Sequence, residues 1–208
     1  MRAVGSSACR VPAGQRGYSL IDLVMVVALI AVVAGIAVPV TGGAVAGHRF
    51  RGDSQALTQM VSVAKMRASA GFTRARVRAN TLTNTYALEI WDKDTSAWVT
   101  EGGMLTMSRG VAFGFAALGT PPPNTQQAIG QSPECRAGLT AATAAIAGTA
   151  CIAFNSRGLP VDAAGAIFGG HGLYLTDGTM VSATTITATP RIRRWFSRTS
   201  AADWREQQ

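Results

Sequence analysis

The sequence predicts an α+β fold, in which one long amino-terminal helix packs on an antiparallel β-sheet domain. An apolar stretch from Leu23 to Val40 contains 18 residues without a charge. At 1.5 Å per residue, a helix of that length is about 27 Å long. An amphipathic stretch follows it, and beyond residue 71 the pattern changes to the two-residue alternation that is typical of strands. A chain of 208 residues has room for one ordinary domain in addition to such a helix.

The apolar stretch is predicted to cross a membrane. Counted from Tyr18 to Val40 it makes a helix of roughly 35 Å, which is enough for a hydrocarbon core of about 30 Å. A secretory signal peptide has a short apolar core followed by its cleavage site, whereas here an arginine-bearing leader, residues 1–17, comes first. Basic residues are slightly more numerous before the stretch than after it, which favours an amino terminus on the inside.

The segment GYSLID, residues 17–22, resembles the prepilin-type processing motif of type IV pilins and type II secretion pseudopilins. The resemblance implies that a prepilin peptidase cuts after Gly17 and methylates Tyr18. It also implies that Asp22, which stands where the family usually has glutamate, pairs with the amino terminus of a neighbouring subunit in a filament core. Pro39 matches a proline that loosens the helix in this family. The alternative is a plain single-span anchor with an acidic residue at its edge.

This resemblance implies a location, a set of partners and a domain organisation. We expect a single-pass protein of the inner membrane whose globular domain faces the periplasm and which is incorporated in a pilus or pseudopilus. Its expected partners are the prepilin peptidase, other major and minor pilins or pseudopilins, and the inner membrane. The expected parts are a cleaved leader (1–17), a transmembrane and filament-core helix (18–47), and an amphipathic half-helix with a β-rich domain (48–208).

The remainder of the chain is predicted to form the rest of the helix and about seven short strands. Apolar residues recur at helical spacing at Leu57, Met60, Val61, Ala64 and Ala68. Gly71 is a suitable end for this helix. The predicted strands are 85–91 with a partner around 98–99, then 104–107, 111–117, 150–155, 165–168, 172–176 and 180–188.

The order of these parts is similar to that of the GspH/FimT class of minor pilins and pseudopilins. The matching pieces are the helix end from Lys65 to Ala70, a hairpin that contains Trp98, and the segment IAFNSRGLP with Ile152, Phe154 and Gly158. A threonine-rich strand that runs into TPRIRRW resembles the closing strand of that class. The resemblance implies a structural subunit of a type II secretion pseudopilus or type IV pilus that helps to initiate or cap filament assembly.

Three cysteines are present, and two of them favour a disulfide. Cys9 lies in the leader, whereas Cys135 and Cys151 enclose 15 residues of mostly small side chains. In an oxidising compartment a bond between them would contribute roughly 3 kcal/mol through loop closure. Two buried free thiols are the alternative.

The sequence offers no catalytic or metal-binding motif. Its two histidines are His48 and His171, and the sequence contains no nucleophile elbow, HExxH pattern or paired Cys/His spacing. The GGHG segment around His171 is expected to be a turn, because no helix pattern follows it. We therefore expect no enzyme activity, no cofactor and no bound metal.

Two arginine clusters make DNA the alternative partner. The chain has a formal net charge of +8. Residues 74, 76 and 78 are arginines at period two, so in a strand they share one face. The segment PRIRRWFSR supplies Arg191, Arg193, Arg194 and Arg198 beside two aromatic residues, a mixture that suits phosphate contact and base stacking. Pro190 to Arg193 resembles the Gly-Arg-x-Arg motif that binds DNA in uptake pilins of this class, so a DNA-binding minor pilin is the alternative function. Contacts with partner subunits or with anionic lipid headgroups are the alternative for these arginines.

Overall fold

The computed structural model describes residues 19–207, without the side chains of residues 36–42 and 44. Its one helix, α1, is Leu20–Ala70 and contains 51 residues. The chain divides into two compact units, Met1–Ala44 and Val45–Gln208. The predicted domain boundaries at residues 17 and 47 stay predictions.

Ten strands follow the helix and form two antiparallel five-stranded sheets. The first sheet has the order β3-β2-β1-β5-β6, and the second has the order β10-β9-β8-β7-β4. The strands are β1 (Ala75–Asn80), β2 (Thr85–Asp92), β3 (Ala97–Thr106), β4 (Ala112–Phe113), β5 (Thr149–Phe154), β6 (Pro160–Val161), β7 (His171–Thr176), β8 (Met180–Ile186), β9 (Ile192–Arg198) and β10 (Ala201–Gln207).

The main core of the second unit lies between α1 and both sheets. The predicted apolar stripe of the helix is confirmed: Leu57, Val61, Ala64 and Ala68 are fully buried, and Met60 packs against them partly exposed. The sheets supply buried side chains from β1, β2 and β5 on one side and from β7, β8 and β9 on the other. These include Val77, Leu88, Ile152, Phe154, Leu173, Leu175, Ile186 and Phe196.

Hydroxyl groups join the helix to the second sheet at the edge of this core. The Ser54 hydroxyl hydrogen-bonds that of Ser182, and the Thr58 hydroxyl lies 2.8 Å from that of Thr184. Burying a hydroxyl without a partner is costly. These pairs therefore satisfy polar groups while their small side chains let helix and sheet approach closely.

A long connection, residues 114–148, links the two sheets and covers the second face of the second sheet. Its Leu118 packs with Tyr174 and Trp195 in a separate buried cluster. The predicted disulfide is confirmed, because Cys135 of this connection is bonded to Cys151 of β5. The bond ties the connection to β5 of the first sheet. It also reduces the entropy of the unfolded chain.

A buried ion pair lies on the face of the first sheet that points away from α1. Arg76 stands directly opposite Glu89 in the β1–β2 pairing, and its guanidinium contacts the Glu89 carboxylate at 2.6 Å. Arg78 reaches the same carboxylate at 3.0 Å, and the Trp98 ring centroid lies 4.0 Å from Arg76 Cζ. Burial lowers the pKa of Arg76 from its ordinary value, while the Glu89 carboxylate acts in the opposite direction. The attraction between the two charges offsets the free-energy cost of removing them from water.

The predicted fold class is wrong. We expected an α+β fold with a long helix packed on an antiparallel β-sheet domain, whereas the unit Val45–Gln208 is predominantly β and has two antiparallel sheets. Residues 104–106 continue β3 instead of forming a new strand, and 165–168 contributes only the isolated bridge between Val161 and Ile167. The predicted strands omitted β1, β6, β9 and β10. Of these, β6 has only two residues and β10 is mostly exposed, while β1 and β9 are rich in arginine.

The predicted membrane-spanning half of the helix, and with it the single-pass location in the inner membrane, is also contradicted. Among the residues that the structure describes, no helix is long and apolar enough to cross a membrane.

We expect Glu89→Gln to lower the free energy of unfolding by about 3 kcal/mol, because Arg76 is left buried without a counter-ion. Glu206→Gln is the matched control, since Glu206 pairs with Arg193 at 3.6 Å with a third of its side chain exposed. We expect that control to cost at most about 1 kcal/mol. Urea unfolding of both variants measures the difference, and equal losses would contradict the assigned role of Glu89.

Candidate functional site

The first turns of α1 present apolar side chains to solvent on every side. Each large apolar residue from Leu20 to Val33 is more than half exposed. A globular helix normally shows one apolar stripe, and a helix that is apolar all round is normally buried. A continuous exposed apolar surface marks a site of interaction. We call this surface, Leu20–Val33, the apolar helix surface.

Asp22 is the one acidic residue on the apolar helix surface. It lies in the first turn of α1, where the helix dipole favours negative charge. The described residues provide no ion pair and no hydrogen bond to its carboxylate, while the neighbouring amide of Leu23 donates to the Ser19 carbonyl at 3.2 Å. The surface therefore combines an apolar face with one carboxylate that is available to a partner.

The other residues predicted for processing and assembly are less fully described. Gly17 and Tyr18 lie outside the described residues, so cleavage and methylation there stay predictions. Pro39 lies within α1, but its side chain is outside the described part. A loosened helix at this residue stays a prediction as well.

The four carboxy-terminal arginines do not share one face. Arg193 and Arg194 are neighbours on β9, so their side chains point to opposite sides of the sheet. Arg193 Nε lies 3.6 Å from Glu206 Oε1. Arg194 Cζ lies 5.7 Å from the Phe196 ring centroid. Both still line, together with Arg191, a groove of about 400 Å³ beside α1. Arg198 lines a different groove, beside Asp203 and Arg205.

The groove at Arg191 contains two buried guanidinium nitrogens that make no hydrogen bond within residues 19–207. The Nε atoms of Arg193 and Arg194 are buried and make no hydrogen bond with any described residue. Gln55 and Gln59 of the helix complete the lining. The arginine and glutamine side chains that line the groove can donate hydrogen bonds to an anion, although Glu206 offsets part of the positive charge.

The two histidines lie in unrelated positions. His48 is exposed on α1, whereas His171 is buried at the start of β7. Burial lowers the pKa of His171 from its ordinary value, against a smaller opposing effect of Asp162. Within residues 19–207, no group of three or more His, Cys, Asp or Glu is placed to hold a metal ion. The absence of catalysis, cofactor and metal stays a prediction.

Sequence reasoning missed a second basic region, just beyond the end of α1. Arg74, Lys93 and Arg157 come together there around an open pocket, with Phe72 at its border. These residues come from three separate segments of the chain, so no local motif connects them. In the sequence, Arg74 stands out only as one arginine of a period-two pattern.

Comparisons with known proteins give little further information. No protein-family model matches the chain, and no curated protein matches it significantly. Among solved structures, the minor pseudopilin EpsH from the Type 2 Secretion System of Vibrio cholerae is similar to it, with a TM-score of 0.36 and 11% sequence identity. The match covers 76% of this chain and 96% of that one. A likeness of this degree establishes neither a shared fold nor a shared function.

Proposed function

We propose that the chain is a minor pilin or pseudopilin, a structural subunit of a type II secretion pseudopilus or type IV pilus. The apolar helix surface is the observation that carries the proposal. Exposed to water it is unfavourable, because each Å² of apolar area left in water forfeits about 25 cal/mol. Since apolar side chains surround the helix, a bundle of neighbouring helices would cover it more completely than a single flat partner.

Asp22 gives the proposed assembly its alignment. A carboxylate buried among apolar helices is strongly unfavourable unless it meets an opposite charge. The amino terminus produced by cleavage after Gly17, when it belongs to the next subunit, is a suitable partner. The motif at residues 17–22 and the position of Asp22 in the first turn of α1 both support this pairing.

The proposed mechanism contains no catalytic step by this chain. The prepilin peptidase would remove residues 1–17 and methylate Tyr18, and the other pilins or pseudopilins would cover the apolar helix surface. A minor subunit with these contacts would help to initiate or cap the filament, while the unit Val45–Gln208 supplies the folded head.

Processing is tested by the intact mass of the protein from cells with and without the prepilin peptidase. We expect a chain that has lost residues 1–17 and gained one methyl group, only where the peptidase is present. Gly17→Leu is the control and should stay uncut in both strains. An uncut wild-type chain in both strains would mean that the motif is a coincidence.

Assembly is tested by replacing Asp22. We expect Asp22→Ala to be processed normally but to be lost from the isolated filament fraction, because the buried amino terminus of its neighbour has no counter-charge. Asp22→Glu keeps the charge and should be retained. Immunoblots of the filament fraction measure both variants, with wild type as reference. Normal incorporation of Asp22→Ala would contradict the assigned role of the carboxylate.

A second candidate function is duplex DNA binding in a DNA-uptake pilus, and the groove at Arg191 favours it. The guanidinium groups of Arg191, Arg193 and Arg194 that line it can donate to phosphate. We expect affinity to fall as salt rises, and Arg191→Ala/Arg193→Ala to reduce the slope of log K against log salt by about 2.

Gel shifts at several salt concentrations measure this slope. The matched control is Arg51→Ala/Arg109→Ala, which removes two exposed arginines elsewhere and should leave the slope close to wild type. An equal change in both double variants would indicate a general effect of net charge and remove the support for a DNA site at this groove.

A further inference from the structure

A concave pocket lies directly after the last residue of α1, within the unit Val45–Gln208. We call it the Phe72 pocket. Its volume is about 390 Å³. The residues that matter for its chemistry are Phe72, Arg74, Trp91, Lys93, Asn155 and Arg157. The lining contains three cations, two aromatic rings and no carboxylate.

The three cations of the Phe72 pocket retain most of their hydrogen-bonding capacity. Lys93 Nζ donates to the Phe72 carbonyl at 2.9 Å, which uses one of its three N–H groups. Arg74 Nη1 donates to the Leu139 carbonyl at 2.7 Å, which leaves the rest of the guanidinium. Arg157 is exposed. These cations are therefore held close to the pocket, with donors still available.

The other two arginine clusters each contain at least one ion pair, whereas within the described part of the chain the Phe72 pocket contains none. Arg67, Arg76, Arg78, Arg193 and Arg205 each contact a carboxylate. Among the described residues, none of the three cations of the Phe72 pocket has an ion pair.

Asp92, which precedes Lys93 in the sequence, makes its own local hydrogen bonds. Asp92 turns its carboxylate to the amide of Asp94 and to the Thr95 hydroxyl, at 2.9 and 2.8 Å. Among residues 19–207, no carboxylate forms an ion pair with a cation of this pocket.

Phe72 is held in an unfavourable backbone conformation with its ring in solvent. Its φ is 47° and the residue is 76% exposed. Helix ends usually give such a left-handed position to glycine, and a bulky residue there is an outlier. The surrounding bonds maintain it: Thr73 donates its amide to Ala68 at 3.2 Å and its hydroxyl to Trp91 at 2.7 Å. The ring is therefore presented from a fixed backbone, and strain of this kind is characteristic of binding sites.

We propose that the Phe72 pocket binds an acidic segment of a partner protein. A carboxylate of the segment would lie among Arg74, Lys93 and Arg157, and an adjacent apolar side chain would pack on the Phe72 ring. The charge complementarity is direct, because three unpaired cations meet a ligand group that carries the opposite charge. The exposed ring supplies the apolar contact that a simple inorganic anion could not use.

The arrangement favours a peptide over a nucleic acid. Proteins that bind single strands place cations along a groove that follows the backbone and stack successive bases on aromatic rings. Here the cations surround one pocket, which suits a compact anionic group. The pocket shares no residue with the apolar helix surface, so this proposal stands apart from filament assembly.

The test uses the full chain in a mild neutral detergent, which covers the apolar helix surface. The probe is a fluorescein-labelled peptide of alternating glutamate and leucine, and its binding is followed by fluorescence anisotropy. The reference probe replaces each glutamate by glutamine. We expect the glutamate peptide to bind at least about tenfold more tightly than the glutamine peptide, with affinity that falls as salt rises.

The variants separate the pocket from the overall charge of the protein. Lys93→Gln/Arg157→Gln should weaken binding of the glutamate peptide at least about tenfold, and Phe72→Gly should weaken it while relieving backbone strain. The matched control, Arg51→Gln/Arg109→Gln, removes two exposed arginines outside the pocket and should change binding less than twofold. Unfolding midpoints of all variants show that the unit is folded.

Three outcomes would overturn the proposal: equal binding of the two peptides, unchanged binding by Lys93→Gln/Arg157→Gln, or an equal loss in the control pair. A labelled single-stranded oligonucleotide completes the experiment. If it binds through the same residues more tightly than the glutamate peptide does, the pocket is a nucleic-acid site and the acidic-segment proposal is wrong.

Discussion

The burial of one face of α1 against two sheets is the interaction on which the folded unit depends. Each sheet has an apolar face that would be exposed without the helix, and strands need such a face covered to be stable. Ala64 and Ala68 are fully buried at this interface. Small residues there let the backbones approach closely, and the larger Leu57 and Phe50 fill the wider part of the core. A change in the helix face would therefore affect both sheets together.

The same interface explains how far the fold could be predicted from the sequence. The stripe from Leu57 to Ala68 and the alternation in Thr85–Asp92 are local patterns, and both identified the correct element. The stripe also identified the buried face of the helix, whereas Ala87 and Glu89 on the other face of the strand are buried as well. The two-sheet arrangement depends on which strands pair, and alternation defines a strand's face without naming its neighbour. Short or polar strands such as β6 and β10 carry too little periodicity to be recognised.

Local sequence patterns also predict little about the contacts of charged residues. Arg76 and Arg78 were expected to share a face, and they do, since both contact Glu89. The sequence did not show that this face is partly buried, because Glu89 lies on the next strand and the register alone brings it opposite Arg76. Of the candidate sites, Asp22 and the apolar stretch could be predicted because a local motif contains them. The Phe72 pocket could not, because its cations come together only in the folded unit.

The apolar helix surface and the Phe72 pocket suit partners of different chemistry. The apolar helix surface is exposed on all sides and has one carboxylate, so its requirement is a continuous apolar environment with a single positive charge. The Phe72 pocket is concave, positively charged and bordered by one fixed ring, so its requirement is a small acidic group with a short apolar neighbour. One partner is poorly suited to both, because the environment that buries the first surface would leave the cations of the second without water or counter-ion. Assembly and recognition would therefore be carried by separate parts of the chain, and a variant that damages one can leave the other intact.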